Sequence, residues 1–319
     1  MRLCRFRHQG RDLIGFYDES SVVPLNAQTL QAVGQNETAR ALLETTDLLD
    51  LLPPTGKHFS TAQSVAKRVA DLPADARQKI SVAGDHVEFL VPIPRPNKLF
   101  LLAGNYGDHI QEGGGIAPER AETFPYVFMK PPSTTLIAAG KPIVIPKASP
   151  AHVDWELELA VVIGRRGKHI TAAQAKDYIA GYTVINDVSD RQYRPNPSRK
   201  PREKDSFFDW QHGKWHDSFC PCGPCITTAD AIPDPQKLAM KLSVNGTVRQ
   251  NGSTGQQIFP VFAVIEFLSQ SCTLEPGDII STGTPAGVGH SSKTYLKPGD
   301  RVDAWIESIG TLTNPVTAE

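Results

Sequence analysis

Apolar and polar positions alternate most clearly from Asp154 to Gly164, where Trp155, Leu157, Leu159, Val161 and Ile163 are interleaved with Glu156, Glu158, Ala160 and Val162. That is the period of two of a strand with one apolar face. Glu156 and Glu158 then point the same way, roughly 6.5–7 Å apart along the backbone. Alone, such a pair reads as a solvated strand face. A second acidic cluster, Asn186-Asp187, follows the next apolar run, Tyr182 to Ile185, and brings a third carboxylate to a strand end.

The remaining pattern supplies the frame. Residues 1–23 read as a hairpin turning at Gln9-Gly10, and the leucine-rich stretch from Thr38 to Leu52 predicts a helix stopped by Pro53-Pro54. Ser60 is placed to cap a second helix running to Ala70. Val87 to Val91 reads as a strand, and Pro92-Ile93-Pro94-Arg95-Pro96 as a stiff connector. The boundary expected there gives a small N-terminal α/β domain, residues 1–95, and a larger domain, residues 96–319. Further strands are expected at Lys98 to Ala103, Tyr126 to Lys130, Ile143 to Ile145 and Ile279 to Ser281. Helices are expected over Ala172 to Ala180, capped by Thr171 and closed by Gly181, and over Pro260 to Ser271.

Composition narrows the function classes. The chain has 319 residues with 33 Lys and Arg against 34 Asp and Glu, a net charge of -1, so nothing draws it to nucleic acid or an anionic membrane. No apolar window is long enough to span a bilayer, and the N-terminus lacks a signal or transit pattern, which makes the cytoplasm the expected location. Five cysteines are too few for a secreted disulfide framework. Cys220-Pro-Cys222-Gly-Pro-Cys225 reads as a structural turn, the alternative being a zinc site completed by His212 or His216.

Candidate chemistry falls at strand ends. Two carboxylates on so apolar a strand repel and lose hydration unless a cation lies between them. Glu156, Glu158 and Asp187 therefore form a candidate oxygen site for Mg²⁺ or Mn²⁺. After the strand ending at Ala103, His109 and Glu112 share one face of a helical turn. The carboxylate would orient the imidazole as a general base, with Gly113-Gly114-Gly115 as a hinge. Lys130 is either a solvated strand-end charge or a contact for a substrate carboxylate. The basic, Pro-rich run over residues 191–216 reads as a cover over the site mouth, with Lys214 its inward-pointing charge. Thr282-Gly283-Thr284-Pro285-Ala286-Gly287-Val288-Gly289 offers backbone N–H groups and the Thr284 hydroxyl to a carboxylate or oxyanion.

These motifs, in this order, resemble the fumarylacetoacetate hydrolase family: Asn105-Tyr106 with His109 and Glu112, Asp154-x-Glu156-x-Glu158, Gly181-Tyr182 leading to Asn186-Asp187, Lys214 before Asp217, and the Thr282 to Gly289 loop. The resemblance covers about residues 97–316 and implies a β-rich α+β fold, a mixed β-sandwich roll that forms a homodimer. It further implies metal binding by Glu156, Glu158 and Asp187, catalysis by His109 with Glu112 activating water and Lys214 holding the leaving enolate, and substrate contacts from Tyr106, Lys130, Arg191, Gly283 and Thr284. The activity it implies is C–C bond hydrolysis of a 2,4-diketo acid such as an acylpyruvate, or alternatively isomerisation or decarboxylation of a 2-oxo acid. Where the family commonly reads Ser-Ala-Arg-Asp-x-Gln, this chain has Ser189-Asp190-Arg191-Gln192-Tyr193-Arg194.

Overall fold

The computed structural model describes residues 1–34, 37–117 and 120–319, with no side-chain account of residues 37 and 38. Three N-terminal strands, β1 (Arg2–His8), β2 (Arg11–Asp18) and β3 (Ser21–Pro24), precede helix α1 (Phe59–Ala70). Then come β4 (Leu99–Ala103), the short helix α2 (Gly107–Glu112), β5 (Tyr126–Met129), β6 (Ile143–Ile145), β7 (Leu157–Ile163) and β8 (Ile179–Asn186). Helix α3 (Asp205–His212) leads to β9 (Cys220–Thr228), β10 (Ala239–Val244), β11 (Thr247–Ser253), helix α4 (Val261–Ser271), β12 (Ile279–Ser281), β13 (Arg301–Ile306) and β14 (Gly310–Ala318).

Two sheets carry the fold. In the larger, the strands run β3-β2-β1-β9-β8-β7-β12-β4-β5, and in the smaller β11-β10-β13-β14-β6. This is a β-rich α+β architecture. Sheet pairing crosses the expected domain boundary, since β1 lies antiparallel to β9 with Leu3 opposite Ile226.

β7 shows how the pattern was met. Its period of two is real, yet all seven residues are buried. Leu157, Leu159, Val161 and Ile163 face one core with Met240, Leu242, Val302 and Ala304 of the smaller sheet. Ala160 and Val162 face a second core with Ala62, Val65 and Val69 of α1. The N-terminal layer covers the side that the pattern left open to water, so the site lies between layers and not on a wet face.

Other expectations shift. The leucine-rich run is two 3₁₀ stretches, Glu37–Glu44 and Leu48–Leu51, because the Asp47 carboxylate accepts from Leu49 N at 3.0 Å and starts a new turn. Ser60 lies inside α1, whose N-cap is His58. Residues 172–180 do not form a helix: a 3₁₀ turn, Ala175–Tyr178, leads straight into β8. Gly181 is a mid-strand residue whose absent Cβ would fall 2.3 Å from Thr227 O, so glycine serves close strand approach there. The cysteine cluster is a buried strand, β9, not a turn. Burial raises the thiols, Cys222 and Cys225 to about 12.

Candidate active site

β7 and β8 run antiparallel with Leu157 opposite Asn186, which brings the start of one strand to the end of the other. The chain corners there set Glu156, Glu158 and Asp187 side by side, one carboxylate oxygen of each within 4.8 Å of the others. All three residues are buried. Asn186 ties the corner, its Oδ1 accepting from Glu156 N at 2.9 Å, while Asp187 N donates to Glu156 O at 2.8 Å.

Three buried carboxylates need positive partners. Lys214 donates to Glu156 Oε2 at 2.9 Å and to Asp187 Oδ2 at 2.6 Å. Arg191 spans Asp154 Oδ2 at 2.8 Å and Glu156 Oε1 at 2.6 Å. Lys130 pairs with Asp187 Oδ1 and donates to the carbonyls of Val188, at 2.9 Å, and Phe219. The charges divide the two glutamates. Burial would raise Glu156, but Lys214 and Arg191 outweigh it and hold this carboxyl well below the usual range. Burial and then the charges of Asp187 and Glu156 push Glu158 well above it.

Glu158 Oε2 accepts from Ser281 Oγ at 2.6 Å and from Gly283 N at 2.9 Å, whereas Oε1 has no hydrogen-bond partner among the described residues. A buried oxygen without a donor, flanked by two more carboxylates, meets the need of a hard divalent cation for oxygen ligands. The residues present fit such an ion.

Beside this floor, α2 presents the second group. His109 Nδ1 meets Glu112 Oε1 at 2.8 Å, and Glu112 Oε2 accepts from Gly287 N at 2.9 Å. Both oxygens of this carboxylate are therefore engaged, and the imidazole ring is held through Nδ1. With Arg191, His290, Ser291 and Lys293, the pair lines a cavity of about 190 Å³. Arg191 touches both the cavity and Glu156, which joins the mouth to the carboxylate floor.

The other expected contacts are placed as follows. Lys130 is fully buried, paired with Asp187 and donating to Val188 O and Phe219 O. Tyr106 is buried against Met240 Sδ and Gln257. Lys214 faces inward as expected, but toward Glu156 and Asp187. The glycine-rich loop holds the protein's own carboxylates: Gly283 N binds Glu158, Gly287 N binds Glu112, and Gly289 N and His290 N bind Asp154. Thr284 Oγ1 accepts from Gln250 at 2.8 Å and keeps its own hydrogen to donate.

Sequence reasoning passed over Asp154, Gln250, Ser281, His290 and Lys293. Asp154 opened the acidic motif and gave a signal that was available. Gln250, whose Oε1 accepts from Leu157 N at 2.9 Å, lies in a strand of the other sheet and gave none.

The two-sheet fold brings together a buried carboxylate trio suited to a divalent cation and an imidazole braced by a further carboxylate. Residues 98–317 match the family model for the C-terminal domain of fumarylacetoacetate hydrolase, and the chain belongs to the fumarylacetoacetate hydrolase family. A mitochondrial oxaloacetate tautomerase of Rattus norvegicus is 39% identical over 273 residues, 83% of this chain and 80% of that protein. The structure of a fumarylacetoacetate hydrolase from Exiguobacterium antarcticum matches with a TM-score of 0.73 at 31% identity, covering 100% of both chains. That of a maleylpyruvate hydrolase from Sphingobium sp. SYK-6, in complex with manganese(II) and pyruvate, matches with a TM-score of 0.70 at 26% identity, covering 100% of this chain and 99% of the other. These relatives are described as enzymes. Among the described residues, no helix is long and apolar enough to cross a membrane.

Proposed function

We propose that the protein is an Mg²⁺- or Mn²⁺-dependent enzyme that interconverts the keto and enol forms of a small 2-oxo acid of the oxaloacetate type. The observation that carries this reading is the braced imidazole of His109, lining the same cavity as the arginine that grips Glu156. When bound by Glu156, Glu158 and Asp187, the cation would supply Lewis-acid charge to the oxygens of the acid.

The chain's own groups do the rest. Tautomerisation moves one proton between the carbon next to the oxo group and the oxo oxygen, and needs no water as a reactant. His109, engaged through Nδ1, has Nε2 to take up and return that proton. Glu112 holds the ring through Nδ1. Lys214 and Arg191 keep Glu156 ionised, so the floor remains anionic in the pH range where an imidazole exchanges protons. The cavity, about 190 Å³, is smaller than the roughly 300–1,000 Å³ of pockets for drug-sized ligands, which favours a compact acid. The 39% identity to a described oxaloacetate tautomerase supports the same choice.

Hydrolysis of a 2,4-diketo acid is the second reading, favoured by the same His109–Glu112 pair, since an imidazole oriented by a carboxylate is also what activates water. One experiment separates them. The enol form of oxaloacetate and an acylpyruvate are each given to the protein with Mg²⁺, Mn²⁺ or EDTA, and the products are followed by absorbance and mass. Metal-dependent loss of the enol signal without cleavage supports tautomerisation. Cleavage of the acylpyruvate with uptake of water supports hydrolysis, and release of CO₂ from oxaloacetate would mark a decarboxylase. With no metal-dependent turnover of either compound, both readings fall.

A further inference from the structure

We propose that Lys293 and His290 form a subsite for a second carboxylate, so that the cavity selects dicarboxylic 2-oxo acids over monocarboxylic ones; this rests on the cavity being the substrate site.

The charges around the cavity are unevenly engaged. At its inner end Arg191 is taken up by Asp154 and Glu156. Both oxygens of Glu112 are taken up by His109 and Gly287. Lys293, at the rim, is exposed and meets no carboxylate among the described residues. Its backbone is left-handed, φ 55°, and closes the single helical turn Gly289–Ser292, which fixes where the side chain leaves the main chain. Next to it, His290 Nδ1 lies 3.0 Å from Tyr295 Oη. With that hydroxyl donating to Nδ1, the imidazole carries its proton on Nε2, a donor for an anion. Burial, with Lys293 and Arg191 close by, lowers the imidazole below its ordinary value, so an anion arriving here meets a neutral donor beside one full positive charge. An acid whose 2-oxo head occupies the carboxylate floor turns its far end toward this rim. A cation there favours a far end that is itself a carboxylate.

The test uses two unreactive ligands that differ in the far carboxylate alone, L-malate and L-lactate, titrated by calorimetry into the Mn²⁺-loaded protein. Wild type should bind malate about fivefold to tenfold more tightly than lactate, the effect of one charge-assisted contact. In Lys293→Ala the two affinities converge, in Lys293→Arg the preference is kept, and in Lys293→Glu it reverses. Equal binding by wild type, or a malate preference that survives Lys293→Ala, overturns the subsite. Oxaloacetate turnover on the same preparations keeps the two claims apart. A malate preference without turnover leaves the subsite standing and removes the reaction, whereas turnover with equal binding does the opposite.

Discussion

The floor of the site and its mouth are built by different rules. At the floor, Glu156, Glu158 and Asp187 stand at the ends of central strands, fully enclosed, with Lys214, Lys130 and Arg191 bonded to them. At the mouth, His109 and Glu112 ride on one short helix, with side chains 20% and 19% exposed, and the facing rim is a glycine-rich loop. Burial makes the floor costly to change, since each charge there is answered by another. The mouth is held by a few hydrogen bonds between a short helix and a loop, and can vary with little loss of stability.

The contrast can be broken at either end. Replacing His109 by Ala should lower kcat by about 10²–10⁴-fold, leaving the melting temperature and cation affinity near wild type. Steady-state kinetics beside a thermal melt would check this, and a matching loss of stability would place His109 with the floor. Lys130→Met should do the reverse. It leaves two carbonyls without their donor and buried Asp187 short of one ion-pair partner, at about 3–5 kcal/mol of stability, read from denaturant unfolding of the metal-free protein. A Lys130 variant that unfolds like wild type but has a raised KM would restore the lysine as a substrate contact.

Ser281→Ala removes the hydroxyl that steadies Glu158 Oε2 and should weaken cation binding about 10–100-fold, measured by calorimetry with Mn²⁺. An unchanged affinity would mean that Glu158 is not a ligand. The smallest effect is that of pH. Burial, Asp187 and Glu156 raise the Glu158 carboxyl, so in the metal-free protein it stays protonated above the usual carboxylate range. Its contribution to stability is complete below the unfolded value and declines as pH rises through the raised one. A cation must displace that proton, so affinity should climb with pH across the same window, by at most about tenfold per unit for one proton. A flat pH profile in cation titrations would remove this coupling.

What the sequence disclosed follows from the same contrast. Strands β4, β5, β6, β7, β8 and β12, the acidic trio and the His109–Glu112 pair were legible because each belongs to a local pattern, whereas β9 read as a turn and β10, β11, β13 and β14 were not anticipated. Partners distant in sequence were not legible either. Lys130 read as either a strand-end charge or a substrate contact and is fully buried, because the groups that enclose it, Asp187, Val188 and Phe219, come from later in the chain. The even-numbered face of β7 looked wet, since nothing in that stretch announces that α1 covers it. Gly181 passed for a helix stop because a glycine needed for close strand packing has the same letter as one needed for a left-handed turn.

Glu112 has a double attachment with a consequence of its own. One oxygen holds the base and the other holds the loop that also fastens Glu158 and Asp154. Swinging α2 outward about Gly113 to Gly115 would carry His109 and Glu112 off together and part Glu112 from Gly287, so the base leaves the carboxylate floor in the same motion that opens the chamber. Readiness for proton transfer and closure of the chamber become a single event, and an open molecule is a disarmed one.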